Sequence, residues 1–149
     1  MNAKYSYRDI ASEDLLAAGE MLKAKLFNHS ARQCQQYVEK IFKECLTLRG
    51  TEESDLFLLH THKLARLAER CGVLANISFS KTETAFFREL TDYYFDTNYP
   101  GENYIKLSET KAKEVYEETL SFKNLHEVAL CARKSTRKNT PNRALGGYA

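Results

Sequence analysis

The chain has 149 residues, 43% hydrophobic and 28% charged, with six glycines and two prolines. This is one domain's worth of sequence, and it excludes intrinsic disorder, collagen-like repeats and a disulfide scaffold for the body of the molecule. The formal charge of +2 hides a division: residues 1–132 hold 17 Lys/Arg against 20 Asp/Glu, whereas residues 133–149 hold five basic residues and no acid.

In chain order, the hydrophobic spacing is helical almost throughout. A first helix runs from Tyr7 to about Leu26, with Ile10, Leu15, Ala18, Leu22 and Leu26 on one side. Phe27-Asn28 then forms the connection of an antiparallel hairpin. The second helix places Ala31, Cys34, Tyr37, Val38, Ile41, Phe42, Cys45 and Leu46 at i, i+3, i+4 and i+7 over four turns, between Asn28 as N-cap and Arg49-Gly50 at its end. Thr51 to Asp55 reads as an acidic loop. A shorter third helix has Thr61 as N-cap, Leu64, Leu67 and Ala68 inward, and Gly72 just past its end.

Ser80-Lys81-Thr82-Glu83 fits the S-x-x-E capping box and opens a fourth helix through Phe86, Phe87, Leu90, Tyr93 and Tyr94. Proline ends it near Asn98-Tyr99-Pro100-Gly101. Ser108 starts a fifth helix that runs to about Leu130. No segment sustains β alternation. The expected fold is all-α, an antiparallel up-and-down helical bundle of four main helices plus one short helix over residues 1–130. Residues 131–149 are expected to form a mobile basic C-terminal tail.

No apolar run approaches the ~18 residues of a membrane span, and Met1–Ser6 holds no apolar stretch like a signal peptide. A cytoplasmic protein with no membrane partner is therefore expected. The four cysteines contain no C-x2-C pair, and His60-x-His62 completes no usual zinc set. Buried reduced thiols are expected, and no metal or other cofactor. There is no G-x-S-x-G elbow, HExxH, Walker loop or Rossmann glycine pattern. On the second helix, Gln36, Lys40 and Lys43 stand at i, i+4 and i+7, with Gln35 and Glu39 on the neighbouring row. Such a row suits a phosphate-bearing ligand, or simply solubilises the helix.

The same residues, Gln35-Gln36-x-x-Glu39-Lys40-x-x-Lys43, resemble the QQxxEKxxK core of HEPN (higher eukaryotes and prokaryotes nucleotide-binding) domains. Leu26-Phe27-Asn28-His29-Ser30 is similar to that family's turn into helix two, and Thr61-His62-Lys63-Leu64 to its T-H-D-L start of helix three. Leu90-Thr91-x-Tyr93-Tyr94 leading to Asn98-Tyr99-Pro100 resembles its L-T-x-Y-Y segment ending in R-Y-P. The resemblance implies a helical bundle, commonly a homodimer. It also implies one of three roles: nucleotide binding, partnership with a minimal nucleotidyltransferase (toxin–antitoxin pairs included), or metal-independent ribonuclease.

The ribonucleases of the family carry R-x4–6-H. None of His29, His60, His62 and His126 has an arginine at the required spacing, and Asn98 stands where the arginine is usual. Asn98 hydrogen-bonds but supplies no charge to a phosphate, and no imidazole follows it. The resemblance therefore points to a non-catalytic module, with a degenerate ribonuclease as the remote reading. Its expected ligand-binding residues are Lys40, Lys43 and His62, supported by Gln36 and Asn98. The alternative is an interaction protein acting through a homodimer or heteromer surface. Tyr93, Tyr94, Phe95, Tyr99 and Tyr104 crowd one segment and cannot all face one core stripe. Nucleic-acid binding through the tail ranks last, because the acidic body repels a phosphate backbone.

Overall fold

The computed structural model describes residues 5–133, and residues 134–149, most of the expected basic tail, lie outside it. Six α-helices follow one another: α1 (Tyr7–Lys23), α2 (Phe27–Arg49), α3 (Glu53–Phe57), α4 (Leu64–Ala75), α5 (Lys81–Asp96) and α6 (Glu109–Leu130), with a 3-10 turn at Leu58–His60 between α3 and α4. Among the described residues there is no strand. The bundle forms around α2, which packs against α1, α4, α5 and α6. This is why 13 of its 23 residues are buried, beyond the single stripe that a surface helix needs.

The core is held by rings meeting edge to face. Phe42 packs on Phe79, Phe87 and Phe122, with centroids 5.9, 5.3 and 5.5 Å away. Tyr37 meets Phe122 from the next turn. Cys34, Cys45 and Cys71 are buried free thiols among these apolar groups, and Cys131 is half-buried and free.

Five boundaries differ from the sequence expectation, each because a tertiary or backbone partner wins; one is Gly72, which lies inside α4, the helix ending at the left-handed Asn76. α1 stops at Lys23. Lys25 turns left-handed (φ 63°), and the amides of Lys25 and Leu26 donate to the carbonyls of Leu22 and Met21, a Schellman closure without glycine. Asn28 does not cap α2. It lies inside the helix, donates to the Ile105 carbonyl at 2.9 Å and accepts from the Leu107 amide at 2.9 Å, tying the α5–α6 connection to the start of α2.

Thr61 does not cap the next helix, which begins at Leu64; the Leu64 amide donates to Thr91 Oγ1 of α5 instead. The acidic segment is not a plain loop. Asp55 is buried, accepts from the amides of Thr51 and Glu52, and takes a two-pronged bond from Arg70 at 2.6 and 3.1 Å, so one helical turn forms. The boxes at Ser80 with Glu83 and the cap at Ser108 form where expected.

Candidate functional site

The motif on α2 builds one connected hydrogen-bond network that reaches three elements. On its outer row, Lys40 Nζ donates to Gln36 Oε1 at 3.2 Å and to Asp14 Oδ2 of α1 at 2.5 Å. Gln36 Nε2 donates to Gln35 Oε1 at 2.7 Å, crossing to the inner row. There, Gln35 Nε2 donates to Glu39 Oε1 at 2.8 Å and Lys43 Nζ to Glu39 Oε2 at 2.7 Å. His62 Nδ1 lies 3.0 Å from Glu39 Oε1, and Gln35 also reaches the His62 carbonyl. Gln35, Glu39 and Lys43 are buried, a costly placement for two charges unless each has partners. The 3.6-residue turn of the helix supplies those partners, because 35, 39 and 43 are spaced four apart on one face.

Electrostatics favour the ionised form of Glu39. Burial pushes the Glu39 carboxyl up, but the hydrogen bonds from Lys43, Gln35 and His62 outweigh it and hold the group below its ordinary value. An ionised carboxylate only accepts, so the His62 ring carries its proton on Nδ1 and presents Nε2 to whatever approaches. The ring stays 40% exposed. It stacks on Tyr94 with centroids 4.7 Å apart and meets Phe95 edge-on at 6.4 Å. Such a site offers a fixed imidazole nitrogen, an aromatic floor and one unspent donor on Lys40.

The structure thus brings together four of the five expected residues, Gln36, Lys40, Lys43 and His62. Their charges are largely spent: Lys40 on Asp14 and Lys43 on Glu39. Asn98 is not in the network. It is exposed beyond the end of α5 and donates to the Tyr94 carbonyl at 2.5 Å, one turn from the ring that stacks on His62. Sequence reasoning passed over Asp14 and Tyr94, which nothing in a linear pattern pairs with α2. It gave no role to Gln35 and Glu39, although their spacing to Lys43 was visible.

Another buried carboxylate, Glu127 of α6, takes bonds from Tyr37, Arg8 and Lys123. A cavity of about 710 Å³ between α4 and α5 contains none of the expected site residues. Among the described residues no cluster of three metal-binding side chains occurs, and no helix is long and apolar enough to cross a membrane.

A family model described as the HEPN domain matches residues 5–128. No curated protein and no solved structure matches the chain.

Proposed function

Since this chain belongs to the HEPN domain family, we propose that it is a non-catalytic binding module of the cytoplasm, which takes a nucleotide or other phosphate-bearing ligand, or docks a minimal nucleotidyltransferase, on the face formed by α2 and the start of α4. The observation that carries this reading is the network from Asp14 through Lys40, Gln36, Gln35 and Glu39 to His62. It spends buried charge to hold a half-exposed imidazole at one position on an aromatic floor, more than stability alone requires. Lys40 and Gln36 are the donors of the neighbouring row, Lys43 pairs with Glu39, and Asn98 donates to the Tyr94 carbonyl.

Isothermal titration of the full chain with ATP and GTP tests this. A saturable heat is expected, weakened about tenfold or more by His62→Ala and by Lys40→Ala, the loss typical of one charged hydrogen bond. No heat with either nucleotide overturns the ligand version, and the partner version then rests on co-purification with a nucleotidyltransferase.

A second reading, a homodimer or heteromer module, is favoured by a separate observation. Phe95, Tyr99 and Tyr104 are 43%, 70% and 47% exposed, grouped around the end of α5 and the segment after it.

A further inference from the structure

The row on α2 that carries Gln36 and Lys40 begins two turns earlier with His29 and Arg32. There the charge balance is reversed. Arg32 forms no ion pair among the described residues, whereas Lys40 and Lys43 each face a carboxylate. Its Nη1 donates to the Thr97 carbonyl at 2.8 Å and to Thr97 Oγ1 at 3.0 Å, pinning the guanidinium to the end of α5. Its Nη2 lies 2.7 Å from His29 Nδ1. Arginine only donates, so His29 Nδ1 accepts and the ring keeps a donor on Nε2. Three of the five guanidinium donors are used, and Nε–H and one Nη2–H remain.

These groups border a cavity of about 250 Å³ whose wall includes Lys25, His29, Arg32, Tyr104 and Lys106 and no carboxylate. Lys25 is 3.6 Å from Glu109, which lies outside the cavity wall. Leu26, at the cap position of α2, offers no side-chain acceptor, so the amides of the first turn add to the same field. The volume is below the roughly 300–1,000 Å³ that holds a whole drug-sized ligand. It suits one polar group. Three cationic side chains and an imidazole N–H match a doubly charged anion better than a singly charged one.

We propose that this pocket is a phosphomonoester site, which takes the terminal phosphate of a small molecule through Arg32, His29 and Lys106. It stands apart from the reading above, because it uses neither Lys40 nor His62.

The test is titration of the full chain at low salt with inorganic phosphate, AMP, cyclic AMP and adenosine, followed by calorimetry and by the NMR resonances of the His29 ring. Phosphate and AMP are expected to bind and shift those resonances, cyclic AMP to bind more weakly, and adenosine not at all. Arg32→Ala, His29→Ala and Lys106→Ala should each weaken phosphate about tenfold, while Lys81→Ala, a surface lysine at the other end of α5, should not. Arg32 also holds Thr97, so His29→Ala and Lys106→Ala decide the matter if Arg32→Ala unfolds. Absence of phosphate binding, or affinity unchanged in those variants, overturns the pocket. AMP binding that depends on Lys40 and His62 but not on Arg32 or Lys106 overturns it too, and leaves the nucleotide reading standing. Phosphate, ATP and GTP binding that all depend on Lys106 and not on Lys40 or His62 supports the pocket and removes that reading.

Discussion

Gly72 lies inside α4, where a Cβ would come within 2.7 Å of the Ile77 carbonyl oxygen. That contact is with backbone, and the Ile77 amide in turn donates to the Gly72 carbonyl at 2.8 Å, so neither partner moves without loosening the other. Gly72→Ala is therefore expected to destabilise the fold by about 1–3 kcal/mol, the range of an overpacked site, read as a lower midpoint in chemical denaturation with an unchanged slope. The glycine resembles a helix stop in the sequence, yet α4 runs another turn and ends at Asn76, left-handed at φ 58°. Lys25 ends α1 in the same conformation. Both helix ends are closed by residues with a side chain, where composition points to glycine, and only the surrounding backbone bonds reveal it.

At the scale of the element, α2 and α6 each carry a carboxylate inside the protein. Burial raises both acids, and their hydrogen bonds win: those of Lys43, Gln35 and His62 on Glu39, and those of Tyr37, Arg8 and Lys123 on Glu127. A group whose folded pKa lies below its unfolded value of 4.5 adds stability that is present above that value and lost as the pH falls through the folded one. The denaturation midpoint should be nearly flat from neutrality to about pH 5 and then fall steeply. Glu39→Gln and Glu127→Gln should each start about 1–3 kcal/mol lower at pH 7 and lose less below pH 4.5. A Gln variant with the same acid limb as the parent chain would show that its carboxylate is not held ionised.

Helices were the most legible elements, because a 3.6 period over four turns needs no tertiary information. The capping boxes at Ser80 and the cap at Ser108 were equally legible, since both partners lie within three residues. Asn28 and Thr61 were misread for the complementary reason. Asn28 spends its side chain on residues 77 and 79 positions away, and the helix Thr61 was to cap takes its hydroxyl from Thr91, 27 positions on. The site divides the same way. Rows 36-40 and 35-39-43 are local and could be read off the helix, and so could the i, i+3 pair of His29 and Arg32, which went unread. Asp14, Tyr94 and Thr97 reach the site only through packing.

On the scale of the whole molecule, three of the exposed aromatic side chains stand near one another in sequence. Phe95, Tyr99 and Tyr104 gather at the end of α5 and in the connection to α6. If this face joins two copies, light scattering should return twice the monomer mass, and a Phe95→Ser/Tyr99→Ala pair should return the monomer mass with little loss of thermal stability. A parent chain that stays monomeric at the highest soluble concentration removes the homodimer.

The central position of α2 has a further consequence, for the cost of recognition. Gln36 and Lys40 of the first proposed site, and His29 and Arg32 of the second, stand on the helix that every main helix grips. A backbone so enclosed opens only when the whole domain does. Little backbone freedom is left to surrender on binding, so affinity there would come from preformed geometry, with the ordering part of the entropic cost small. Occupancy would raise the melting temperature by mass action without changing the molecule's shape, and a partner sensing the loaded state would have to read the ligand itself.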